Sequence, residues 1–458
     1  MVKKNRLMSL GRGQAKKVGL RTKELEMNKV GKNEIMLFIL ICATLVLAAG
    51  ADQRPEVLKP YDGPSVAGIE SSTLTGKVMT GYQGWFNCEG DGANLAWTHW
   101  AKDLSRPFEP NNIAVDMWPD VSEYDDDELY ATPFYYEDGT PARVFSSFNR
   151  KTVVRHFKWM RDYGIDGAFV QRFAERLHNK DMRYHKDKVL SSAREGANRY
   201  GRTYVVMYDL TGIPNEDVIK VFDDWRMLRD KMHITEDAAY QHHNGKPLVA
   251  IWGVGFNDKI KPRAGFQECE ELIKKFKADG CSIMLGIATG WREQDNDALQ
   301  HPDLHRVLLM ADVLSPWSVG RFGGLAGVKN HTERYWAPDI AWAREHDIDY
   351  MPVVFPGFSW YNLMGGRFDH IPRLGGQFLW SQVVANKKAG ADMLYIAMFD
   401  EVDEGTAIFK ISNNPPSTGG SKFLTLQGLP SDFYLQLAGQ AGKLLRDEIP
   451  LNTEVSVP

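Results

Sequence analysis

Apolar, β-rich runs alternate with amphipathic runs of helical period along the chain from residue 77 onward. Several of the apolar runs are continuous, which is typical of strands covered on both faces of a parallel sheet. The pattern predicts strands at 78–86, 167–173, 203–210, 248–253, 282–287, 313–317, 350–355 and 393–399. It predicts helices at 151–163, 189–200, 216–231, 267–278, 378–389 and 433–446. Glycines follow four of these helical runs, as expected at helix ends: Gly164, Gly201, Gly280 and Gly390.

Eight strands, each followed by a helix or a long loop, predict an α/β fold of the (β/α)8 TIM-barrel type with long βα loops. A doubly wound open sheet is the alternative, but no Gly-rich phosphate turn follows the first strand. The connection at 87–150 is the longest, and excursions of that length usually build a site. We expect a single catalytic domain at 77–450, preceded by a linker at 52–76.

The first 51 residues differ from the rest of the chain in charge. They hold ten Lys or Arg and three Asp or Glu, so they carry +7 and the remainder carries −11. An almost wholly apolar run at 35–49 follows basic residues and ends in Ala49-Gly50-Ala51, a small-x-small cleavage pattern. These features predict a secretory signal peptide at 1–51, with Met27 as an alternative start. An uncleaved anchor is the other interpretation; a cleaved signal implies a secreted or periplasmic protein without a stable membrane anchor.

The composition and motifs exclude several classes of protein. An acidic mature body argues against a nucleic-acid partner. The sequence has no HExxH zinc helix, no GxSxG elbow and no Walker A loop, and we expect neither a metal site nor a cofactor. The acidic run at 123–128 lacks EF-hand spacing and favours a solvated face over a calcium site. Cys88, Cys269 and Cys281 permit at most one disulfide.

Aromatic and polar residues concentrate just past the predicted strands, where (β/α)8 barrels hold their active sites. The chain has 13 Trp, and rings beside hydrogen-bonding groups suit sugars, although such rings can also cap a barrel core. The candidate substrate-binding residues are Tyr82, Gln83, Trp85, His99, Gln171, Tyr208, Asp209, Trp252, Trp291, Trp317 and Trp360. Arg172, Arg292 and Arg321 lie at the same strand ends and either bind an anionic group or pair with acidic residues.

Four carboxylates follow the eighth predicted strand within the run Asp400-Glu401-Val402-Asp403-Glu404. Glu401 and Glu404 are three residues apart, so one turn of chain can direct both into one pocket. Glycoside hydrolysis uses two nearby carboxyls, of which one stays protonated and the other ionised. A solvated acidic loop is the alternative interpretation of the same run.

The run at 399–408, Phe-Asp-Glu-Val-Asp-Glu-Gly-Thr-Ala-Ile, resembles the catalytic segment of glycoside hydrolase family 99, the endo-α-mannosidases and endo-α-mannanases. It is also similar to family 71, the α-1,3-glucanases; similar chains are often labelled xylosidase/arabinosidase. Shorter similarities lie at 163–168 and 244–251. This sequence departs from the family pattern at Val402 and Asp403, where the family has Trp and His, at Phe409, and in the first-strand motif at 81–86.

The resemblance implies an exported enzyme that cleaves an α-linked glycan with retention of configuration, through a 1,2-anhydro sugar and without a metal. Glu404 matches the family's general acid. Glu401 matches the carboxylate that deprotonates the sugar 2-hydroxyl. The expected partner is an oligo- or polysaccharide. A non-catalytic carbohydrate-binding protein on a barrel scaffold is the alternative, and the departures place the mannose-specific subsites in question.

Overall fold

Eight parallel strands, one of them in two segments, form a closed barrel in the structure, a computed structural model that describes residues 56–257 and 264–457. The barrel strands in chain order are Val78–Tyr82 (β1), Gly167–Phe173 (β4), Thr203–Asp209 (β5), Lys246–Val254 (β7), Ser282–Ala288 (β8), Val313–Trp317 (β9), the pair Asp349–Tyr350 (β10) and Val353–Val354 (β11), and Leu394–Ile396 (β12). The sequence prediction of a (β/α)8 barrel is therefore confirmed. Leu129–Tyr135 (β2) and Pro141–Phe145 (β3) form a separate antiparallel hairpin, and His242–His243 (β6) pairs with the start of β7.

The seventh barrel strand is interrupted, and it closes the ring. β10 pairs with β9, whereas β11 pairs with β12. Between the two segments, the Met351 N–H donates to Leu314 O at 2.9 Å and Pro352 O accepts from the Tyr395 N–H at 3.0 Å. Proline has no N–H to donate, which accounts for the break in an otherwise continuous ladder.

Helices surround the barrel and join consecutive strands. They are Arg150–Tyr163 (α1), Lys180–Tyr200 (α2), Asn215–Val218 (α3), Lys220–Met232 (α4), Phe266–Ala278 (α5), Leu304–Leu308 (α6), Gly324–His331 (α7), Ala337–Glu345 (α8), Tyr361–Met364 (α9), Gln377–Ala389 (α10) and Phe433–Leu445 (α11). The predicted helix at 189–200 begins nine residues earlier, at Lys180. Gly164 and Gly390 end α1 and α10 with φ of 77° and 96°, a left-handed conformation that glycine adopts without steric cost.

The segment predicted as a linker, 52–76, is described from residue 56 and packs against the barrel. Leu58 and Leu74 are buried in the hydrophobic core. Ser71 O accepts from the His242 N–H at 2.6 Å, and Lys77 just after the segment donates to Gln241 Oε1 at 2.8 Å. These contacts tie the segment to the end of the barrel opposite the carboxyl ends of the strands. The predicted signal peptide lies outside the described residues, and none of the helices described is long and apolar enough to cross a membrane.

The long excursion after β1 folds over the carboxyl end of the barrel. It contains the β2–β3 hairpin, and its Trp100 and Trp118 are fully buried. The backbone N–H groups of Asp116 and Met117 both donate to Val402 O, at 2.9 and 3.1 Å. The excursion therefore holds the loop that carries the acidic run after β12.

A buried ion cluster connects two barrel strands to the surrounding helices. Arg172 on β4 is fully buried and donates to Asp224 at 2.7 and 2.9 Å and to Asp187 at 2.9 Å. The Tyr208 hydroxyl on β5 donates to Asp224 at 2.8 Å. Because these charges lie in a low-dielectric interior, each depends on its partner.

Replacement of Arg172 by leucine should destabilise the protein by about 3–5 kcal/mol, because it leaves two buried carboxylates without their cation. Chemical denaturation gives the free energy of unfolding. The control is Arg106→Gln, which breaks the exposed pair with Glu109 (2.9 Å) and should cost under about 1 kcal/mol. Equal losses of unfolding free energy in the two variants would contradict the structural role of the buried Arg172 cluster.

Candidate active site

A cavity of about 620 Å³ opens at the carboxyl ends of the barrel strands. Most of the residues predicted from sequence line it, and they come from seven different connections or strand ends. They are Gln83, Trp85, His99, Gln171, Asp209, Trp252, Trp317, Trp360, Glu401 and Glu404. The barrel geometry thus brings both acidic candidates and most aromatic candidates to one cavity.

Three predicted substrate-binding residues lie elsewhere, and the prediction was wrong for them. The Tyr82 hydroxyl hydrogen-bonds His156 Nδ1 at 2.8 Å, and Tyr208 faces Asp224, so both side chains are directed toward the outer helices. Side chains alternate along a strand, so the neighbours Gln83 and Asp209 face the cavity instead. Trp291 packs its ring against Trp342, with centroids 4.8 Å apart.

The three candidate anion-binding arginines pair with acidic residues. Arg172 belongs to the buried cluster described above. Arg292 Nε donates to Asp339 at 2.8 Å. Arg321 lines the cavity, but its Nε donates to Asp297 at 2.7 Å.

The acidic loop after β12 is held by backbone hydrogen bonds on both sides. Glu401 O accepts from the N–H groups of Thr406 and Ala407, each at 3.2 Å, and Glu404 O accepts from the Ser359 N–H at 2.9 Å. Gly405 between them has φ of 66°, and a Cβ there would lie 3.0 Å from Ser359 N. The loop is therefore a compact turn with a fixed path, and the interpretation of the acidic run as a solvated loop is wrong.

Asp400 joins this loop to the end of β1. Its carboxylate accepts from the backbone N–H groups of Gln83 and Gly84, both at 2.8 Å. The Gln83 side chain then donates to Glu401 Oε1 at 2.6 Å, and the Thr406 hydroxyl donates to Oε2 at 2.7 Å. Both oxygens of Glu401 therefore have fixed donors.

Burial shifts the pKa of each carboxyl in the cluster upward. It raises the pKa of Glu404 to about 8, and the charge of Asp403 adds to the shift. Burial and then the charges of Glu404 and Asp403 raise the pKa of Glu401 well above its usual range, although hydrogen bonds from Thr406 and Gln83 oppose the shift. Burial likewise raises the pKa of Asp403 to about 8. The cluster thus retains protons at neutral pH and titrates as a coupled unit.

His99 joins the carboxylate cluster from the long excursion. Its Nδ1 lies 2.8 Å from Asp403 Oδ2, and its ring stacks on Trp85 with centroids 3.7 Å apart. The Phe173 ring also stacks on Trp85, at 5.5 Å between centroids. Trp85 is therefore a cavity-lining ring packed against two other rings.

The other wall of the cavity is aromatic. Trp252 packs against Phe256 with centroids 4.7 Å apart and meets Trp317 edge to face at 5.6 Å. Trp360 packs against Phe358 and is 36% exposed, which makes it the most accessible of the predicted tryptophans. Rings in this arrangement offer apolar surface to the C–H face of a sugar.

Sequence reasoning missed the cavity residues on the connection after β4 and on the first turns of α2. They are Glu175 and Arg176 on the connection, and Met182, His185 and Lys186 on the helix. Arg176 lies three residues past a predicted strand end, so the rule used for the other candidates would have found it. Lys186 lies inside a helix, and no local pattern distinguishes it from a lysine on a solvated face.

The described residues contain no group of three His, Cys, Asp or Glu that could hold a metal ion. Cys88, Cys269 and Cys281 are buried free thiols. Within the acidic run at 123–128, Glu128 pairs with Arg155, and Asp127 lies 2.9 Å from Lys151. The acidic residues of this run therefore form ion pairs and cap a short helix.

The chain is similar in fold to solved structures, among them two of one bacterial enzyme. The chain is similar to the glycoside hydrolase family 99 endo-α-mannosidase from Bacteroides thetaiotaomicron, with a TM-score of 0.58 and 17% identity over 82% of this chain and 99% of that one. A structure of the same enzyme in complex with bis-tris-propane has a TM-score of 0.57 at the same identity and coverage. No protein-family model and no curated protein sequence matches the chain. At this level of identity, the likeness establishes a shared (β/α)8 fold.

Replacement of Asp403 by asparagine should lower the pKa of Glu404, because the charge of Asp403 contributes to its elevation. The residual shift should stay upward, since burial is the larger cause. Carboxyl-carbon NMR titration of the glutamates measures the change. Asp138→Asn, on the exposed hairpin turn, serves as the control and should leave that titration unchanged; an upward shift in the Asp403 variant would contradict the coupling.

Proposed function

We propose that the protein is a glycoside hydrolase that cleaves an α-linked glycan. The observation that carries this proposal is the pair Glu401 and Glu404 at one cavity, at the carboxyl ends of the strands of a (β/α)8 barrel. The aromatic wall formed by Trp252, Trp317 and Trp360 supports a sugar substrate. The fold shared with an endo-α-mannosidase is in keeping with this class of reaction.

Glu404 is assigned as the general acid. Its raised pKa keeps the carboxyl protonated near neutral pH, as donation to a leaving glycosidic oxygen requires. Glu401 is assigned as the base. The donors Gln83 and Thr406 fix both of its oxygens and stabilise its anion once Glu404 holds the proton of the pair.

The reaction we propose proceeds in two steps with overall retention. Glu401 takes the proton of the sugar 2-hydroxyl, O2 forms a bond to the anomeric carbon, and the bond to the leaving oxygen breaks as that oxygen takes the proton of Glu404. A water then opens the 1,2-anhydro sugar, giving one proton to Glu404 while Glu401 returns its proton to O2. The two carboxyls end in their starting states, and the route uses no cofactor.

The site of action we propose is outside the cytoplasm. The basic start, the apolar run at 35–49 and the small-x-small pattern at 49–51 support export through a cleaved signal peptide. Mass measurement of the N-terminus of the exported protein tests this proposal, and a mature chain that retains residue 35 would contradict it.

Replacement of Glu404 by glutamine should reduce hydrolysis of natural glycans by about 10²–10⁴-fold, while substrates with activated leaving groups are largely spared. Glu401→Gln should depress the rates on both kinds of substrate. New reducing ends from a panel of α-linked glycans, and phenolate release from an aryl glycoside, give the two measurements.

Glu137→Gln, on the exposed hairpin, is the control and should keep wild-type rates. Near wild-type turnover in both site variants would overturn the catalytic assignment. Binding of glycans without hydrolysis by the wild-type protein would instead favour the non-catalytic carbohydrate-binding alternative.

The pH dependence of kcat/KM should follow the coupled pair. Activity requires one proton on the pair, so it should fall with rising pH as Glu404 loses its proton at about 8. Activity should also fall toward low pH as Glu401 takes up a proton. The midpoint of that acid limb should lie above the ordinary glutamate pKa, because the pKa of Glu401 is raised as well. A basic limb near pH 4 or 5 would contradict the raised pKa of the acid.

A further inference from the structure

The cavity has two chemically different sides. Residues after β7, β9 and β11 supply the aromatic side, which includes Trp252, Trp317 and Trp360. The connection after β4 and helix α2 supply the other side with two basic residues, Arg176 and Lys186, and Glu175 lines it as well. In the ring of strands, β12 and β1 lie between β11 and β4, while β5 lies between β7 and β4. Glu401 and Glu404 therefore stand at one of the two borders between the sides.

Lys186 is built into the cavity wall. It is 7% exposed, and its ammonium donates to Gln83 O at 3.0 Å. The ammonium also lies over the Phe173 ring, 5.3 Å from the ring centroid. An ammonium has three N–H donors. Only this one protein acceptor is found among the described residues.

Arg176 places a second positive charge near Lys186. The positive charge of Arg176 is the second cause, after burial, that lowers the pKa of Lys186 to about 7, and it also lowers the pKa of His99. Within the ranges that the structure describes, neither Arg176 nor Lys186 forms an ion pair with a carboxylate. Two neighbouring cations that repel each other are stabilised by an anion between them.

The carboxylates nearest to Lys186 are engaged elsewhere. Asp400 and Asp209 raise the pKa of Lys186 but do not pair with it, and Asp400 accepts two backbone N–H groups. By contrast, Arg321 in the same cavity is already neutralised by Asp297. Among the described residues that line the cavity, Arg176 and Lys186 are thus the Lys and Arg side chains without a carboxylate partner.

We propose that Arg176 and Lys186 form a subsite for an acidic sugar, so that the natural substrate carries a carboxylate or a sulfate ester on the residue bound there. This inference rests on the proposed glycoside hydrolase function and names its substrate class. A planar guanidinium beside an ammonium matches a carboxylate or sulfate, both of which accept several hydrogen bonds. The aromatic side then holds the sugar on the other side of the cleaved bond.

The test compares three α-linked oligosaccharide series with equal length: neutral, uronic acid-containing and O-sulfated. Binding to the mature Glu404→Gln protein is measured by calorimetry, so that no ligand is consumed. At least one anionic series should bind about tenfold more tightly than the neutral series, and the preference should weaken as salt is added. Whichever series shows the preference identifies the carboxylate or the sulfate as the recognised group.

Arg176→Gln in the same background should remove most of this preference while leaving neutral binding nearly unchanged. Arg176 is half-buried on a loop, so this change should be tolerated; Lys186→Met is the second variant, with folding checked by circular dichroism. Arg183→Gln is the matched control. It removes one positive charge from the exposed face of α2, the helix that carries Lys186. It should leave the preference intact.

Equal affinity for the neutral and both anionic series, or equal loss of the preference in the Arg176 and Arg183 variants, would overturn the subsite. If the wild-type protein still hydrolyses neutral glycans in that case, the proposed function stands without the acidic specificity. If the protein neither binds nor hydrolyses any of the three series, the proposed function itself fails.

Discussion

The carboxylate of Asp400 is the interaction on which the arrangement of the site depends. It accepts the backbone N–H groups of Gln83 and Gly84, and so joins the end of the first barrel strand to the loop after the last. β1 and β12 are neighbours in the barrel, and these two bonds fix the chain just past β1 against the loop after β12. Gln83 is thereby placed to donate to Glu401. The backbone bonds to Glu401 O, Val402 O and Glu404 O hold the rest of the loop, and the Asp400 junction aligns that loop with Gln83.

The same burial that makes the junction rigid controls its protonation. Glu401 and Asp403 are almost completely buried, so the charged forms lose hydration that the protein replaces only in part. Placing another carboxyl beside them makes a second charge still more costly. A proton is therefore shared within the cluster, and the donors around each oxygen determine where it resides. Fixed donors on Glu401 and an open cavity beside Glu404 give the two carboxyls different chemical characters.

His99 illustrates how the excursion after β1 completes the site. The segment that resembles family 99 has aspartate at 403 where the family has histidine, yet a histidine from another part of the chain reaches that aspartate. His99 is held by its bond to Asp403 and by stacking on Trp85. Burial and the charges of Arg176 and Lys186 lower its pKa, so the imidazole is neutral. A neutral imidazole bonded to a carboxyl adds polarity to the cavity wall without adding positive charge.

The sequence by itself determined the architecture and the position of the acidic pair. Apolar runs of strand length, amphipathic helical runs and glycines at helix ends are local features of the sequence. Together they predicted the eight-stranded barrel. The acidic run at 400–404 follows a strand directly, so the topology of a barrel was enough to place it at the cavity. The tertiary structure decided which of two adjacent side chains faces inward, as with Gln83 rather than Tyr82 and Asp209 rather than Tyr208. It also decided that Trp291 packs between helices, that Trp85 stacks with both His99 and Phe173, and that Lys186 enters the cavity from a helix. These outcomes depend on strand register, where a shift of one residue reverses the face of every side chain, and on contacts between residues far apart in the chain. In a strand whose residues are nearly all apolar or aromatic, the local pattern does not distinguish the two faces.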